Sequence, residues 1–259
     1  MKSRDILAFL ALKHNGDWEE TYDDVRLKER VLPSEASKLL ENLGGKYITI
    51  LDEDYPEVFK QIYKPPIVLF YKGDRSLLKS RKLLGIVGSR KNSSYGEFIT
   101  KKIINELDED FVIVSGLAKG IDSIAHKQAL KRGMKTIAFL GCGINNIYPV
   151  ENHQLYKDIE ENGLILSEYP GRVSPNQRNF PFRNRLIAGL SKAVLVTDAE
   201  TRSGSSTTIS AAAAFGKNVY AVPHPITEEN NSLCNEIIQD GATMVLRGKD
   251  INEDFWKMI

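Results

Sequence analysis

The residues most able to do chemistry lie together in one short stretch, residues 177–191, with the sequence QRNFPFRNRLIAGLS. It holds three arginines, two asparagines and two phenylalanines and no acidic residue. Guanidinium groups bind phosphate oxygens through paired N–H donors, and nucleobases stack on aromatic rings. The stretch therefore favours a single-stranded nucleic acid as ligand. The alternative is that both phenylalanines lie in the core and that the arginines form surface ion pairs.

Loops rich in glycine, serine and basic residues follow several apolar runs. The sequence GSR at residues 88–90 follows one run, SGLAKGID at residues 115–122 a second, and RSGSSTT at residues 202–208 a third. Glycine lets backbone N–H groups approach an anion, and the unpaired N–H groups of a following helix point to the same place. These loops predict a surface that binds phosphate groups. The alternative is that the glycines only turn the chain.

Motifs of nucleotide-binding and catalytic sites are missing from the sequence. No GxxxxGK[ST] occurs, and GCGINN at residues 141–146 lacks the last glycine of GxGxxG. The two cysteines, Cys142 and Cys234, have no metal-ligand spacing, and the four histidines lie apart. We expect no resident cofactor and no metal.

The elements that must position these loops are strands alternating with helices. Short apolar runs lie at residues 67–71, 83–87, 111–114, 136–140, 164–166, 193–196, 218–222 and 244–246. Most are separated by stretches with helical spacing, which predicts an α/β protein with a doubly wound, mostly parallel sheet. Ligands of such sheets lie beyond the carboxyl ends of the strands, where the three loops fall.

The first sixty residues have a different character. They hold 9 basic and 13 acidic residues, a net charge of −4, whereas residues 61–259 hold 26 and 21, a net charge of +5. Helices are predicted from residue 3 to 13, from residues 33–35 and from residues 54–56, before a break at residues 64–66 with the sequence KPP. A polyanion is therefore expected on the second part. No apolar run is long enough for a membrane span, and the N-terminus does not resemble a signal peptide, so a cytoplasmic protein is expected.

The ordered set of motifs resembles the DprA/Smf family of DNA-processing proteins of natural transformation, from about residue 43 to residue 246. The matching sequences are GSR at 88–90, SGLAKGID at 115–122, GCG at 141–143, YP at 148–149 with Asn152, SEYP at 167–170, FPFRNR at 180–185, SGS at 203–205 and AVP at 221–223.

The resemblance implies a protein that binds and protects single-stranded DNA and loads the RecA recombinase onto it, as a homodimer. The missing catalytic motifs lead us to expect no catalysis. The resemblance also implies an extended Rossmann-like domain at residues 64–259, an N-terminal helical (SAM-like) module at residues 1–63 and no C-terminal winged helix. The residues that it assigns to DNA or phosphate binding are Gly88, Ser89, Arg90, Ser115, Gly116, Lys119, Gly120, Asn152, Arg178, Phe180, Arg183, Asn184, Arg185, Ser203, Gly204 and Ser205.

Two positions depart from the family pattern. His224 stands where glycine is usual, and Val150 stands where a basic residue is common, which puts one DNA contact in doubt. The competing function is a nucleotide phosphoribohydrolase resembling the LOG family, with Glu168, Asp198 and Glu200 as candidate catalytic carboxylates. The PGGxGT loop of those enzymes is absent.

Overall fold

Strands and helices alternate along most of the chain. The structure, a computed structural model, describes residues 1–41, 43, 46–201, 203–227 and 232–258. The strands of this part are β1 (Tyr47–Thr49), β2 (Val68–Gly73), β3 (Leu83–Val87), β4 (Val112–Ser115), β5 (Lys135–Phe139), β6 (Leu164–Ser167), β7 (Ala193–Val196), β8 (Asn218–Ala221) and β9 (Thr243–Met244).

The helices cover both faces of the sheet. The α-helices within the described ranges are α1 (Ser3–Lys13), α2 (Trp18–Arg26), α3 (Pro33–Glu41), α4 (Ser94–Glu106), α5 (Ile121–Lys131), α6 (His153–Asn162), α7 (Asn179–Leu190), α8 (Ser205–Ala214), α9 (Ser232–Gln239) and α10 (Gly248–Met258). Short 3-10 helices lie at Glu57–Gln61, Arg75–Lys79 and Val150–Asn152. None of the described helices is long and apolar enough to cross a membrane.

The strands join one sheet in the order β1-β2-β6-β5-β4-β3-β7-β8-β9. From β6 to β9 in this order all neighbours are parallel, while β2 pairs with β1 and with β6 in antiparallel fashion. The chain leaves β3 towards β4 and returns on the other side of β3 as β7. Such a reversal opens a crevice beyond the carboxyl ends of the two strands. The predicted doubly wound, mostly parallel α/β fold is confirmed.

The strands in the middle of the sheet are apolar throughout because helices bury both of their faces. Side chains alternate between the faces of a strand. In β3, Leu83 and Val87 pack in the cluster that contains residues of α7, α8 and α9, while Leu84 and Ile86 pack in the cluster formed with α4, α5 and α10. The crevice at the end of β3 therefore rests on strands that are fixed from both sides.

The N-terminal sixty residues are helical only in their first part. The helix predicted from residues 54–56 is instead the 3-10 helix Glu57–Gln61, with Pro56 as its N-cap. An α-helix so short is disfavoured because its first turn is costly to form. Strand β1 was not predicted, since three residues show no periodicity, and it pairs with β2 through Tyr47 and Phe70. The sheet thus includes residues from before the predicted boundary at residue 64, and the division into two domains stays a prediction.

Candidate functional site

A small cavity of about 50 Å³ lies at the carboxyl ends of β3 and β7. The loops after β3, β4 and β7, the middle of α7 and the first turn of α8 enclose it. We call it the β3–β7 pocket. The predicted site residues that line it are Gly88, Arg90, Arg183, Asn184, Ser203, Gly204 and Ser205.

The loop after β3 is held by the loop after β7 and by the start of α5. The Ser89 N–H donates to the Asp198 carbonyl oxygen at 2.6 Å, and the Ile121 N–H donates to the Ser89 carbonyl oxygen at 3.1 Å. A β-carbon at Gly88 would lie 2.5 Å from Ile121 and 2.6 Å from the Asp198 carbonyl oxygen. Only glycine fits there, so the loop has one arrangement, with the Arg90 side chain exposed above it.

The loop after β4 is shaped by a buried carboxylate and a buried amide. The Asp122 carboxylate accepts the N–H groups of Gly116 and Ala118 at 3.2 and 3.3 Å. Asn152, predicted as a DNA contact, instead donates its side-chain amide to the Leu117 carbonyl oxygen at 3.0 Å. Leu117 has a φ of 56°, which is uncommon for a residue with a side chain. Strained backbone of this kind occurs often in binding loops.

Arg183 is the charged group of the β3–β7 pocket. It is 3% exposed, and its Nη1 donates to the carbonyl oxygens of Phe139 and, at 2.6 Å, Gly116. Its Nε donates to the Asn184 side-chain oxygen at 3.1 Å. Among the residues that the structure describes, no carboxylate lies within ion-pair distance of Arg183, and its Nη2 has no acceptor. A buried guanidinium that has no carboxylate in ion-pair contact in the described part of the chain, and that has a free N–H edge, is suited to bind an anion.

Burial and neighbouring charge act in opposite directions on the ionisable groups here. Burial lowers the pKa of the Arg183 guanidinium; the Asp122 carboxylate opposes this shift, and Arg90 adds to it. Burial raises the pKa of the Asp122 carboxyl, and Arg183 opposes that shift in turn. An anion in the pocket would favour the charged form of Arg183.

The start of α8 adds neutral donors to the pocket. The Ser203 hydroxyl is buried and makes no hydrogen bond with a described residue. Gly204 follows, with no atom within 4 Å of the place of a β-carbon, so its backbone is open. The Asn184 amide donates to the Gly204 carbonyl oxygen at 3.2 Å and to the Thr207 hydroxyl at 2.7 Å, which ties α7 to α8. Ser205 and Thr208 of the first α8 turn also line the pocket, and the start of a helix offers backbone N–H groups to an anion.

An open groove with aromatic walls continues from the pocket. It has a volume of about 540 Å³, and its lining includes Tyr148, Phe180, Pro181 and Arg90. We call it the aromatic groove. The rings of Tyr148 and Phe180 have centroids 5.5 Å apart, and the Arg90 guanidinium carbon lies 5.4 Å from the Phe180 centroid. Phe180 is half-buried and Tyr148 is 45% exposed, so both rings are accessible to a stacking base.

Arg185, which is also predicted to contact phosphate, does not line the β3–β7 pocket. It is 5% exposed, and its two terminal nitrogens each donate to an oxygen of the Glu168 carboxylate at 2.7 Å. Further donors meet the carbonyl oxygens of Lys64 at 2.8 Å and Phe182 at 3.1 Å. Residues two apart in a helix point about 200° apart, so Arg185 faces away from Arg183. The ion-pair alternative holds for Arg185, but the pair is buried rather than on the surface.

Three further predicted residues shape the backbone around the pocket. The buried Ser115 hydroxyl donates to the Ile86 carbonyl oxygen at 2.6 Å. Gly116 allows the Arg183 guanidinium to lie against the loop, since a β-carbon there would be 2.5 Å from Nη1. Gly120 has a φ of 77° and packs against the Ser89 carbonyl oxygen.

Lys119 and Arg178 are exposed near this surface. The Lys119 ammonium pairs with the Glu151 carboxylate at 2.5 Å. Val150, the departure from the family pattern, is 74% exposed beside that acid. The Arg178 side chain has no partner among the described residues.

The carboxylates considered for catalysis have defined positions. Both Glu168 oxygens accept from Arg185. The Asp198 carboxylate accepts the Ser93 N–H at 2.6 Å and its hydroxyl at 2.9 Å, which fixes the start of α4. The sequence does not reveal this role of Asp198. Ser93 can be recognised as the N-cap of α4, but the carboxylate that it contacts is 105 residues further along the chain. Glu200 is exposed at the edge of the aromatic groove, and Arg202 lies outside the described residues.

Comparison with protein families and curated proteins gives one consistent result. The family model of DNA recombination-mediator protein A matches residues 46–256. DNA processing protein DprA of Streptococcus pneumoniae is 44% identical over 207 residues, which cover 80% of this chain and 73% of that protein. Protein Smf of Synechocystis sp. is 42% identical over 205 residues, which cover 78% of this chain but only 52% of that protein.

Two solved structures are similar over most of the described fold. The X-ray structure of DprA from Streptococcus pneumoniae has a TM-score of 0.81 and 35% identity, and the match covers 95% of this chain and 94% of that one. A structure that gives insight into the single-stranded DNA binding mode of DNA processing protein A from Helicobacter pylori has a TM-score of 0.73 and 32% identity. It matches 82% of this chain and 96% of that one.

Proposed function

Because the chain belongs to the DNA recombination-mediator protein A family, we propose that it binds single-stranded DNA at the β3–β7 pocket and the aromatic groove. A phosphate occupies the pocket, where Arg183 Nη2 and the Ser203 hydroxyl donate to it. Arg90 adds a second positive charge at the entrance. The observation that carries the proposal is the buried Arg183 guanidinium, which has no carboxylate partner in the described part of the chain.

The aromatic groove favours single-stranded over double-stranded DNA. Its rings, Tyr148 and Phe180, offer faces on which unpaired bases stack, and bases in a duplex are already stacked on one another. Backbone donors and arginines contact phosphate and carry no base code, so little sequence preference is expected. The single-stranded DNA binding mode described for the Helicobacter pylori relative supports this proposal.

Most of the predicted residues take one of four roles under this proposal. Phosphate contacts come from the pocket lining, and stacking comes from Phe180. Ser115, Gly116, Gly120 and Asn152 hold the loops in shape. Arg185 ties α7 to the end of β6 through Glu168 and does not contact DNA.

Binding of fluorescent oligonucleotides, measured by anisotropy, tests the proposal with the variant Arg90→Ala. Because Arg90 is exposed, its loss should leave the folded state intact and weaken single-strand binding by roughly tenfold, as expected for a lost cation–π and phosphate contact. Arg75→Ala is the control, since Arg75 also lies over an aromatic ring, that of Tyr71, but precedes β3 at the opposite edge of the sheet. Equal affinity of the wild-type protein for duplex and single strand, or full affinity of Arg90→Ala, would contradict the proposal.

We further propose that the protein acts in the cytoplasm as a homodimer that delivers the bound strand to the RecA recombinase and performs no catalysis. The family's description as a recombination mediator supports the delivery to a recombinase. The hydrogen bonds of Glu168 with Arg185 and of Asp198 with Ser93 support the absence of catalysis, because both carboxylates hold the fold together. RecA filament assembly on coated single-stranded DNA should accelerate when the protein is added. An unchanged assembly rate would contradict the delivery role, and release of base from a nucleoside monophosphate by the purified protein would contradict the non-catalytic one.

A further inference from the structure

A second groove lies between helices α4 and α5, with a volume of about 600 Å³. Its lining carries Lys101 on α4, Lys127 and Lys131 on α5, and Lys119 at one end. Glu97 is the acidic residue of this lining among the described residues. We call this surface the lysine groove. Its excess of positive charge is larger than that of the protein as a whole, which has a net charge of +1.

Lys127 and Lys131 carry the uncompensated charge of the lysine groove. Both are exposed, and in the described part of the chain neither has an ion-pair or hydrogen-bond partner. They are four residues apart on one face of α5, about 6 Å along its axis, where like charges repel. Lys101 and Lys119, by contrast, each pair with a carboxylate. Bound negative charge would remove the repulsion between the two free lysines.

The lysine groove begins where the loop after β4 ends, next to the β3–β7 pocket. Gly120 lines the groove, and its backbone packs against that of Arg90, whose side chain lines the pocket. Lys119 precedes Gly120 and α5 follows it. A chain of negative charges that leaves the pocket past Arg90 therefore meets Lys119 first and then Lys127 and Lys131.

We propose that the lysine groove holds the sugar-phosphate backbone of the same DNA strand beyond the β3–β7 pocket. This inference rests on the proposed function. None of the described residues that line the groove is aromatic, so it contacts phosphates alone and leaves the bases in solvent. It lengthens the binding site and adds salt-dependent affinity without adding a base preference. An acidic segment of a protein is the competing occupant.

The double variant Lys127→Ala/Lys131→Ala of the full chain tests this inference. Alanine maintains the helix, so α5 should remain folded. Lys79→Ala/Lys135→Ala is the matched control: it removes the same charge from exposed positions at the opposite edge of the sheet, where β3 and β5 begin. Affinity is measured over a range of salt concentrations for two oligothymidylates, one short enough for the pocket and aromatic groove alone and one several-fold longer.

The inference predicts a loss that depends on oligonucleotide length. The groove variant should bind the long oligonucleotide more weakly, with a log–log salt slope shallower by about 1.4, that is about 0.7 for each of two phosphates, and should bind the short one like the wild type. The control should behave as wild type with both. A wild-type slope for the groove variant, an equal loss with both lengths, or the same loss in the control would overturn the inference. Failure of the proposed function has a different signature, full affinity of Arg90→Ala for the short oligonucleotide.

Discussion

The two sides of helix α7 use the same residue type in opposite ways. On one side, Arg183 lines the β3–β7 pocket, 3% exposed and without a carboxylate partner in the described chain. On the other side, Arg185 is 5% exposed and forms a two-point ion pair with Glu168. The Lys64 carbonyl oxygen joins that pair, and the Lys64 ammonium contacts Glu19 of α2. One side is thus arranged to receive an anion, and the other joins the sheet to the N-terminal helices.

The difference shows what distinguishes a binding arginine from a structural one in this protein. Burial alone does not distinguish the two arginines, since both side chains are buried to nearly the same extent. A guanidinium that meets a carboxylate is neutralised and holds the fold together, whereas one that meets only carbonyl oxygens keeps a net charge that a ligand can neutralise. Variants on the two sides should therefore affect different measurements.

The largest effect is expected for Arg185→Met, on stability. The substitution leaves the Glu168 carboxylate buried without a counter-charge, which costs about 3–5 kcal/mol in free energy of unfolding. Urea denaturation measures it. The double variant Arg185→Met/Glu168→Leu should recover much of the loss, because replacing both partners leaves no uncompensated charge. A loss of less than about 1 kcal/mol in the free energy of unfolding of the single variant, as is typical of surface ion pairs, would contradict the structural role of Arg185.

The next effect is expected for Arg183→Met, on binding. Hydrogen bonds to charged groups contribute about 1.5–3 kcal/mol, so affinity for a single strand should fall roughly 10- to 100-fold. The loss of stability should be smaller than for Arg185→Met, since two backbone carbonyl oxygens and the Asn184 side-chain oxygen, and no hydrogen-bonded carboxylate, lose their donor. Arg183→Lys is the control that keeps the charge and should retain more affinity. Wild-type affinity of Arg183→Met would show that the pocket does not bind phosphate.

The smallest effect is the influence of the Arg183 charge on the pH dependence of stability. His126 on α5 is fully buried, its Nδ1 lies 2.6 Å from the Thr136 hydroxyl, and burial, aided by Arg183, lowers its pKa from 6.5 to about 3. The unfolded chain takes up a proton near pH 6.5 and the folded protein only near pH 3. The contribution of His126 is therefore complete above pH 6.5 and is lost as the pH falls towards 3, by up to about 1.4 kcal/mol per unit.

Urea denaturation from pH 7 to a pH below 3, with His126→Gln as the reference for all other groups, measures this slope and the pH at which the loss ends. In Arg183→Met the loss should end at a higher pH, because the charge of Arg183 no longer lowers the pKa of His126. In the double variant Arg185→Met/Glu168→Leu, which keeps Arg183, the loss of stability should end at the same pH as in the wild type. If the end of the loss shifts by the same amount in both variants, the charge of Arg183 does not affect the pKa of His126.

The fold and the loops of the site could be predicted because they depend on local sequence. Apolar runs such as residues 83–87 mark buried parallel strands, and the glycines that follow them lie at the carboxyl edge, where the pocket is. The short strand β1 shows no sequence pattern, so its pairing with β2, across the predicted boundary at residue 64, could not be predicted. A fragment that begins at Lys46 would keep every strand.

The different roles of Arg183 and Arg185 could not be predicted. Both lie in FPFRNR, and their separation depends on where α7 begins. It begins at Asn179, with Pro181 in the first turn where proline is tolerated, so both arginines lie beyond that turn. The partner of Arg185 is Glu168, which follows β6 and is 17 residues away, with no spacing rule between them.

The central claim is that a phosphate of single-stranded DNA occupies the β3–β7 pocket on Arg183. The most direct test is a crystal structure of the protein with a short oligothymidylate. We expect a phosphate within hydrogen-bond distance of Arg183 Nη2 and the Ser203 hydroxyl, a base stacked in the aromatic groove, and Arg185 still paired with Glu168. DNA bound to the N-terminal helices, or a pocket without a phosphate while DNA is bound elsewhere, would contradict it.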